Sequence, residues 1–206
     1  ILPKPLMPIK NKTVIEKIIL NFESQGYRNF IVTVNHKAEI LKAYFKELKL
    51  NVKIQIIEEK KELGTAGSLS MLKNIKSEFI LTNCDNIYNF DYLDILREHK
   101  KNSNALTITV AKKKIKIPYG VCKFNEGKFK TIKEKPSYNY LVNAGMYVVS
   151  KSMIKLVKKN TKLDMDKFLE LLQLNNKKIG SFEIKENQWY DTGQWNELKR
   201  TIEKYS

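Results

Sequence analysis

Residues 30–57, FIVTVNHKAEILKAYFKELKLNVKIQII, decide the fold class. Phe30 to Val34 is a continuous apolar run of the kind found in a strand buried on both faces. Ile40, Leu41, Tyr44, Phe45 and Leu48 then recur at helical spacing, and Val52 to Ile57 returns to alternation. Strand, helix, strand at this spacing is a crossover unit, which calls for parallel strands.

The pattern extends in both directions. Upstream, Thr13 and Glu16 have the spacing of a capping box. Behind them Ile15, Ile18, Ile19 and Phe22 form an apolar helix face that Gly26 stops. Downstream, Leu63 to Gly67 is a Gly-containing loop opening a helix through Leu69 and Leu72. Phe79 to Thr82 is a short strand ending at Asn83-Cys84-Asp85, followed by a helix from Asp91 to about Lys101 and a strand from Leu106 to Val110. The alternation predicts an α/β fold with helices on both faces of the sheet. The second half differs. Tyr119–Phe124 and Phe129–Ile132 read as an antiparallel hairpin across Asn125-Glu126-Gly127, and Val142–Val149 as another strand. Helices over Ser152–Lys158 and Asp166–Leu174, a strand over Lys178–Ile184 and a terminal helix from Gln194 complete one mixed domain over residues 1–206.

Composition narrows the chemistry. The 206 residues suit one substantial domain, and no apolar run approaches the roughly 18–20 residues of a membrane span. Neither a membrane span nor a signal peptide is expected, a cytoplasmic location is, and neither a membrane nor nucleic acid is expected as a partner. The first residue is Ile1, so the chain is expected to begin inside a longer protein. Two cysteines, Cys84 and Cys122, outside any metal-ligand spacing, read as reduced, buried structural thiols. Two histidines make a His-built zinc site or a His-dependent triad a poor explanation of function. The net charge of +16 points to polyanionic partners, namely nucleic acid, a membrane surface or phosphorylated small molecules. Lysine spread along the chain, with abundant Asn and Ile, is also what biased coding composition produces, so charge alone decides nothing.

In an open α/β sheet, ligands bind beyond the carboxyl ends of strands, and several unusual clusters fall there. Leu63-Gly64-Thr65-Ala66-Gly67-Ser68 offers two glycines and the N–H groups of a helix start, suited to an anion or a base edge, or is a plain turn. Asp85 ends one strand, and Asp191 lies in Trp189-Tyr190-Asp191-Thr192-Gly193-Gln194-Trp195. Two carboxylates at one sheet edge suit Mg2+, which takes oxygen ligands and bridges to phosphates. Separately, each reads equally as a turn-initiating or capping Asp. Glu134-Lys135-Pro136 presents a carboxylate for sugar hydroxyls beside an ammonium for phosphate, or is a solvated turn. Tyr119-Gly120 and Asn143-Ala144-Gly145 add a backbone approach point and an amide. Lys4, between Pro3 and Pro5, sits on a stiff segment or in a linker.

Taken in order, Pro3-Lys4-Pro5-Leu6, Leu63 to Gly67, Asn83-Cys84-Asp85, Pro118-Tyr119-Gly120-Val121, Glu134-Lys135-Pro136, Val142 to Tyr147 and Trp189 to Gly193 resemble the sugar-1-phosphate nucleotidylyltransferase family, from Ile1 to about Lys199. The resemblance implies a Rossmann-like three-layer α/β/α domain with a mixed, mostly parallel central sheet, which joins an NMP from an NTP to a sugar 1-phosphate. It implies Mg2+ held by Asp85 and Asp191, Lys4 on the phosphates, and Leu63, Gly64, Thr65, Gly67, Ser68 and Asn83 at the nucleotide. It places Tyr119, Gly120, Glu134, Asn143 and Gly145 at the sugar and Lys135 on its phosphate. The likeness is strongest to the branch making GDP-glucosamine for legionaminic acid, a surface-glycan precursor, whose members often carry CBS modules upstream. Oligomeric state is left open. The family's G-x-G-T-R-type loop, which precedes the Pro-Lys-Pro segment, is absent from the sequence, so the domain is expected to be N-terminally incomplete and this polypeptide alone to turn over poorly. Three other readings compete: a non-catalytic nucleotide-sugar-binding homologue, a basic nucleic-acid-binding module, and a glycosyltransferase. The last would want an Asp-x-Asp motif where Asn83-Cys84-Asp85 has one Asp.

Overall fold

The computed structural model describes residues 2–193. The expected terminal helix from Gln194, with Trp195 and the stretch to Lys199, lies outside them, as does Ile1. Two short strands, β1 (Pro8–Ile9) and β2 (Lys12–Thr13), lead into helix α1 (Val14–Ser24). Thr13 caps it, its Oγ1 accepting from the Glu16 N–H at 3.3 Å. The other half of the capping box does not form. The Glu16 carboxylate binds Lys12 Nζ at 2.6 Å and the Tyr44 hydroxyl at 3.2 Å instead, tying α1 to its neighbour.

Strand β3 (Asn29–Val34), helix α2 (Ala38–Glu47) and strand β4 (Lys53–Glu58) form the expected crossover, with β3 and β4 parallel. A single turn, α3 (Gly64–Gly67), runs into a 3-10 segment over Ser68–Met71, shorter than the helix expected there. β5 (Phe79–Thr82), β6 (Asn86–Tyr88) and helix α4 (Tyr92–Lys101) follow. Then come β7 (Leu106–Lys116), β8 (Val121–Asn125), β9 (Lys128–Lys133) and β10 (Ser137–Val149). A 3-10 segment (Lys151–Leu156) replaces the helix expected over Ser152–Lys158, and helix α5 (Met165–Leu174), β11 (Ile179–Ile184) and β12 (Trp189–Asp191) close the described chain.

The largest sheet has the order β11-β7-β10-β5, with β11 parallel to β7 and β10 antiparallel to both of its neighbours. The α/β class and the mixed sheet are as expected. The balance of directions is not, because β3–β4 and β7–β11 are the parallel ladders among the described residues and the others are antiparallel. β7 and β10 also run well beyond their expected limits, as a two-stranded ribbon with lysines 112, 113, 114 and 116 along it.

Helix α1 serves two cores. Ile18 and Phe22 pack with Tyr88, Tyr92 and Met146, while Ile15 and Ile19 pack with Leu6, Val34, Leu41 and Phe45. A third core joins Ala66 and Leu69 to Leu106, Tyr147, Phe168 and Leu172. Above that core, buried His99 bonds through Nδ1 to Thr107 Oγ1 at 2.9 Å and through Nε2 to Ser150 Oγ at 3.0 Å, joining α4 to β7 and to the end of β10. Cys84 and Cys122 are exposed rather than buried, one in the turn after β5 and the other on the β8–β9 hairpin.

Burial holds His99 below its ordinary pKa of 6.5, opposed by the charge of Glu78 and reinforced by Lys100. The unfolded chain therefore takes up this proton first as pH falls. The contribution of His99 is complete above pH 6.5 and is lost as pH drops through that value towards the lower folded-state pKa. Urea titrations at pH 7.5 and 5.5 should show a stability loss that His99→Gln reduces.

Candidate active site

The apolar strand β5 delivers the Asn83-Cys84-Asp85 turn, and β6 starts immediately after it. β12 pairs antiparallel with β6, setting Asp191 opposite Asn86, Tyr190 opposite Ile87 and Trp189 opposite Tyr88. Beyond β12, the Thr192 N–H and hydroxyl both donate to the Asp85 carbonyl, at 2.8 and 2.7 Å. Two carboxylates more than a hundred residues apart thereby meet. A Cβ added to Gly193 would lie 2.7 Å from Asp85 Oδ2 and 3.0 Å from Asp191 Oδ1, so both side chains face one small volume that only glycine leaves open. The Gly193 N–H donates to Asp191 Oδ1 at 2.9 Å and fixes its orientation.

Burial raises the Asp85 carboxyl above its ordinary value, and the charge of Asp191 raises it further, while Lys4 and a backbone hydrogen bond act in the opposite direction. Lys4 is thus within electrostatic reach of the pair. Cys84 is exposed as a residue, but the surroundings of its sulfur, first by desolvation and then by the charge of Asp85, push the thiol up to about 11. Among the described residues no group of three or more His, Cys, Asp or Glu side chains gathers. Asp85 and Asp191 offer oxygen donors to a hard divalent cation and leave its other positions to water or phosphate. Their mutual repulsion is what such a cation would relieve.

The loop expected to meet a nucleotide is fastened on one side. The Leu63 N–H donates to Glu59 Oε2 at 3.1 Å. The Ala66 and Gly67 N–H groups both donate to the Leu163 carbonyl at 2.9 Å, and the Leu163 N–H returns to the Leu63 carbonyl at 2.8 Å. Those two donors of the helix start are therefore not available to an anion, contrary to the expectation from sequence. The glycines serve close packing instead. A Cβ on Gly64, at φ 73°, would run into the Asp164 carboxylate, and one on Gly67 would lie 2.7 Å from the Thr161 carbonyl. In exchange, Thr65 Oγ1 accepts the Met165 N–H at 2.8 Å and caps α5, whose own N-cap residue Asp164 makes no side-chain cap. Each of the two helix starts is capped by the other's segment. Ser68 is buried at the end of this loop.

Asn83, Asn143 and Gly145 form a second group. β10 is irregular between Asn143 and Tyr147, where Gly145 takes φ 80°, and a Cβ there would lie 2.7 Å from Asn83 Nδ2. Asn143 Oδ1 accepts the Gly145 N–H at 2.9 Å, and its Nδ2 donates to the Tyr147 hydroxyl at 2.6 Å. Asn143 thus holds the irregularity in shape. Gly120 and Glu134 meet near the end of the β7–β10 ribbon, where a Cβ on Gly120 would lie 3.0 Å from Glu134 Oε2. Lys135 holds a left-handed φ of 45° directly before Pro136, a conformation disfavoured for a residue in that place. Tyr119 is exposed beside them.

Over residues 1–206 the sequence matches the family model described as nucleotidyl transferase. The chain belongs to this family. It is 30% identical over 206 residues to the mannose-1-phosphate guanyltransferase of Yarrowia lipolytica, covering 94% of this chain and 55% of that protein. It is 29% identical over 181 residues to the D-glycero-alpha-D-manno-heptose 1-phosphate guanylyltransferase of Campylobacter jejuni, covering 86% and 79%. The chain spans about half the length of the first of these relatives. Among solved structures it resembles HddC from Yersinia pseudotuberculosis, with a TM-score of 0.78 at 24% identity over 100% of this chain and 91% of that one. Likeness at that identity shows the fold, a Rossmann-like α/β nucleotidyltransferase fold.

Outside the 63–68 loop, the site residues expected from sequence fall into three groups: Asp85 with Asp191 beside it and Lys4 in electrostatic reach, Asn83 with Asn143 and Gly145, and Gly120 with Glu134, which have Tyr119 and Lys135 next to them in the chain. The 63–68 loop is fastened from a segment that sequence reasoning passed over, namely Thr161, Leu163 and Asp164. Asp164 is legible as a helix N-cap, but nothing in its neighbourhood signals that it docks on a loop a hundred residues away. Replacing Thr65 by Val should remove the trans cap and cost about 1 kcal/mol in chemical denaturation, with Thr65→Ser retaining most of it.

Proposed function

We propose that this chain carries the transfer site of a sugar-1-phosphate nucleotidylyltransferase, which joins a nucleoside monophosphate from an NTP to a sugar 1-phosphate and releases pyrophosphate. The observation that carries the reading is the convergence of Asp85 and Asp191 on the volume beside Gly193, with Lys4 in reach, in a chain of the nucleotidyl transferase family. A sugar-phosphate oxygen attacks the α-phosphorus in line, and the bond to the pyrophosphate oxygen breaks. Such a transfer needs positioning and neutralisation of charge more than covalent chemistry.

Lys4 answers the negative charge of the phosphates. Asp85 and Asp191 would hold Mg2+, which supplies charge neutralisation between NTP and acceptor. The 63–68 loop, with Leu63, Gly64, Thr65, Gly67 and Ser68, and Asn83 form the nucleotide side. There Gly64 and Thr65 are the uncovered part of the loop and meet the ligand, while Leu63, Gly67 and Ser68, which are buried, hold its shape. Glu134 accepts from sugar hydroxyls, Gly120 leaves room beside it, Tyr119, Asn143 and Gly145 shape the sugar side, and Lys135 binds the sugar phosphate. Guanine is the first base to test, because the relatives above are named guanyl- or guanylyltransferases. Glucosamine 1-phosphate is the acceptor suggested by the motif likeness, and mannose and heptose 1-phosphates are those in the relatives' names.

The test is pyrophosphate release over a panel of NTPs and sugar 1-phosphates, using the chain alone and with whatever sequence precedes it in its gene. Asp85→Asn and Asp191→Asn should each lower kcat/KM by about a hundredfold or more. Wild-type rates in both variants would sink the metal assignment, and ligand-induced thermal stabilisation with no release under any condition would favour the non-catalytic homologue. Without divalent cation, Asp85→Asn should melt higher than the parent, because it removes a carboxylate that burial and Asp191 disfavour. A lower melting temperature would contradict that account.

A further inference from the structure

Exposed apolar surface and positive charge are concentrated in one limb of the molecule, formed by the outer β7–β10 ribbon and the β8–β9 hairpin. Of the eleven large hydrophobic residues exposed among the described residues, seven lie between Ile115 and Leu141. Between Lys112 and Lys135 there are nine lysines and two glutamates, a net +7 of the chain's +16. The sequence alone suggested an even spread of lysine; the structure collects much of its excess on this limb.

The hairpin is two-faced. Cys122 pairs with Ile132 and Phe124 with Phe129, and the register shift between Lys123 and Phe124 keeps both pairs on one face. The two phenyl rings meet edge to face with centroids 6.0 Å apart. Phe124, Phe129 and Ile132 nevertheless remain 63%, 59% and 55% exposed. The opposite face pairs Val121 with Lys133, Lys123 with Thr131 and Asn125 with Lys128. A strand pair with an uncovered apolar face and a lysine-bearing reverse has the chemistry of an element that lies in a charged interface, its apolar side in hydrocarbon and its cations at the head groups.

We infer that the β8–β9 hairpin docks this domain on the surface of an anionic phospholipid bilayer. A second copy of the chain is disfavoured as occupant, since the limb would approach its like with +7 on each side. Single-stranded nucleic acid is disfavoured because the phenyl rings stand at 77° to one another rather than as parallel platforms, and Ile132 and Leu141 offer bases nothing to stack on. No described helix is long and apolar enough to cross a membrane. The inference does not rest on catalysis and survives if the proposed activity fails.

Co-sedimentation with vesicles of phosphatidylglycerol and phosphatidylcholine, against phosphatidylcholine alone, tests it. The parent chain should bind the anionic vesicles, lose affinity as salt rises, and ignore the neutral ones. Phe124→Ser with Phe129→Ser should weaken binding about tenfold, and Lys123→Gln with Lys128→Gln and Lys130→Gln should flatten the salt dependence. Both variants should melt at the parental temperature. Should the hairpin prove sensitive to the serines, Phe124→Trp gives a second reading, its emission shifting to the blue on anionic vesicles alone. Equal binding to both vesicle types, or to neither, overturns the proposal. So does retention of a single-stranded oligonucleotide without vesicle binding, or a dimer that the serine variant dissolves.

Discussion

Three residues of antiparallel pairing, Asn86–Tyr88 against Trp189–Asp191, hold together the carboxylates on which the candidate site depends. The ladder is reinforced where it ends, by the two hydrogen bonds from Thr192 to the Asp85 carbonyl. Burial first, and then the like charge of Asp191, raise the Asp85 carboxyl, so the pairing is held at an electrostatic cost. Backbone pairing, the Asp191 turn and a glycine at 193 keep the repulsion in place. The two carboxylates are held together against their own electrostatics, an arrangement that perturbs their ionisation and is more common at functional sites than elsewhere.

The 63–68 loop is held by a different device with the same outcome. Helix starts normally leave N–H groups to be satisfied locally. Here α3 spends two of its own on Leu163, and α5 takes its cap from Thr65. Because α5 is anchored in the third core by Phe168 and Leu172, the loop inherits the rigidity of that core. Ala66 of the loop and Leu69 just after it belong to the same core, so the loop's position is set by packing.

Much of this was legible in the sequence. The crossover at residues 30–57, the Thr13 cap and the strand ending at Asp85 follow from periodicity and local chemistry, and the order of motifs gave the family. The short strands β6 and β12, whose pairing brings Asp191 to Asp85, were not expected, since three residues carry no readable periodicity. The differences have physical causes. The outer halves of β7 and β10 were passed over because a ribbon exposed along most of its length carries lysines where a buried strand would carry aliphatics. The N–H groups of Ala66 and Gly67 read as free because their partner, Leu163, lies far along the chain and leaves no local trace. Asn143 read as an amide for a ligand, and its part in shaping β10 depends on an irregularity that only the register reveals. Cys84 and Cys122 read as buried because exposed cysteines are uncommon.

The long reach of these fastenings has a consequence for the order in which the molecule is made. Thr65 meets Met165 across a hundred positions, and Asp85 meets Thr192 across 107. Such contacts are entropically expensive to close and form only once their distant partners exist. On the ribosome, the first crossover and its helices can settle early. The 63–68 loop stays unfastened until α5 has emerged, and the carboxylates stay apart until residue 193 has followed. A nascent chain would thus carry neither the paired carboxylates nor a fastened loop, and both arrangements arrive late and nearly all at once.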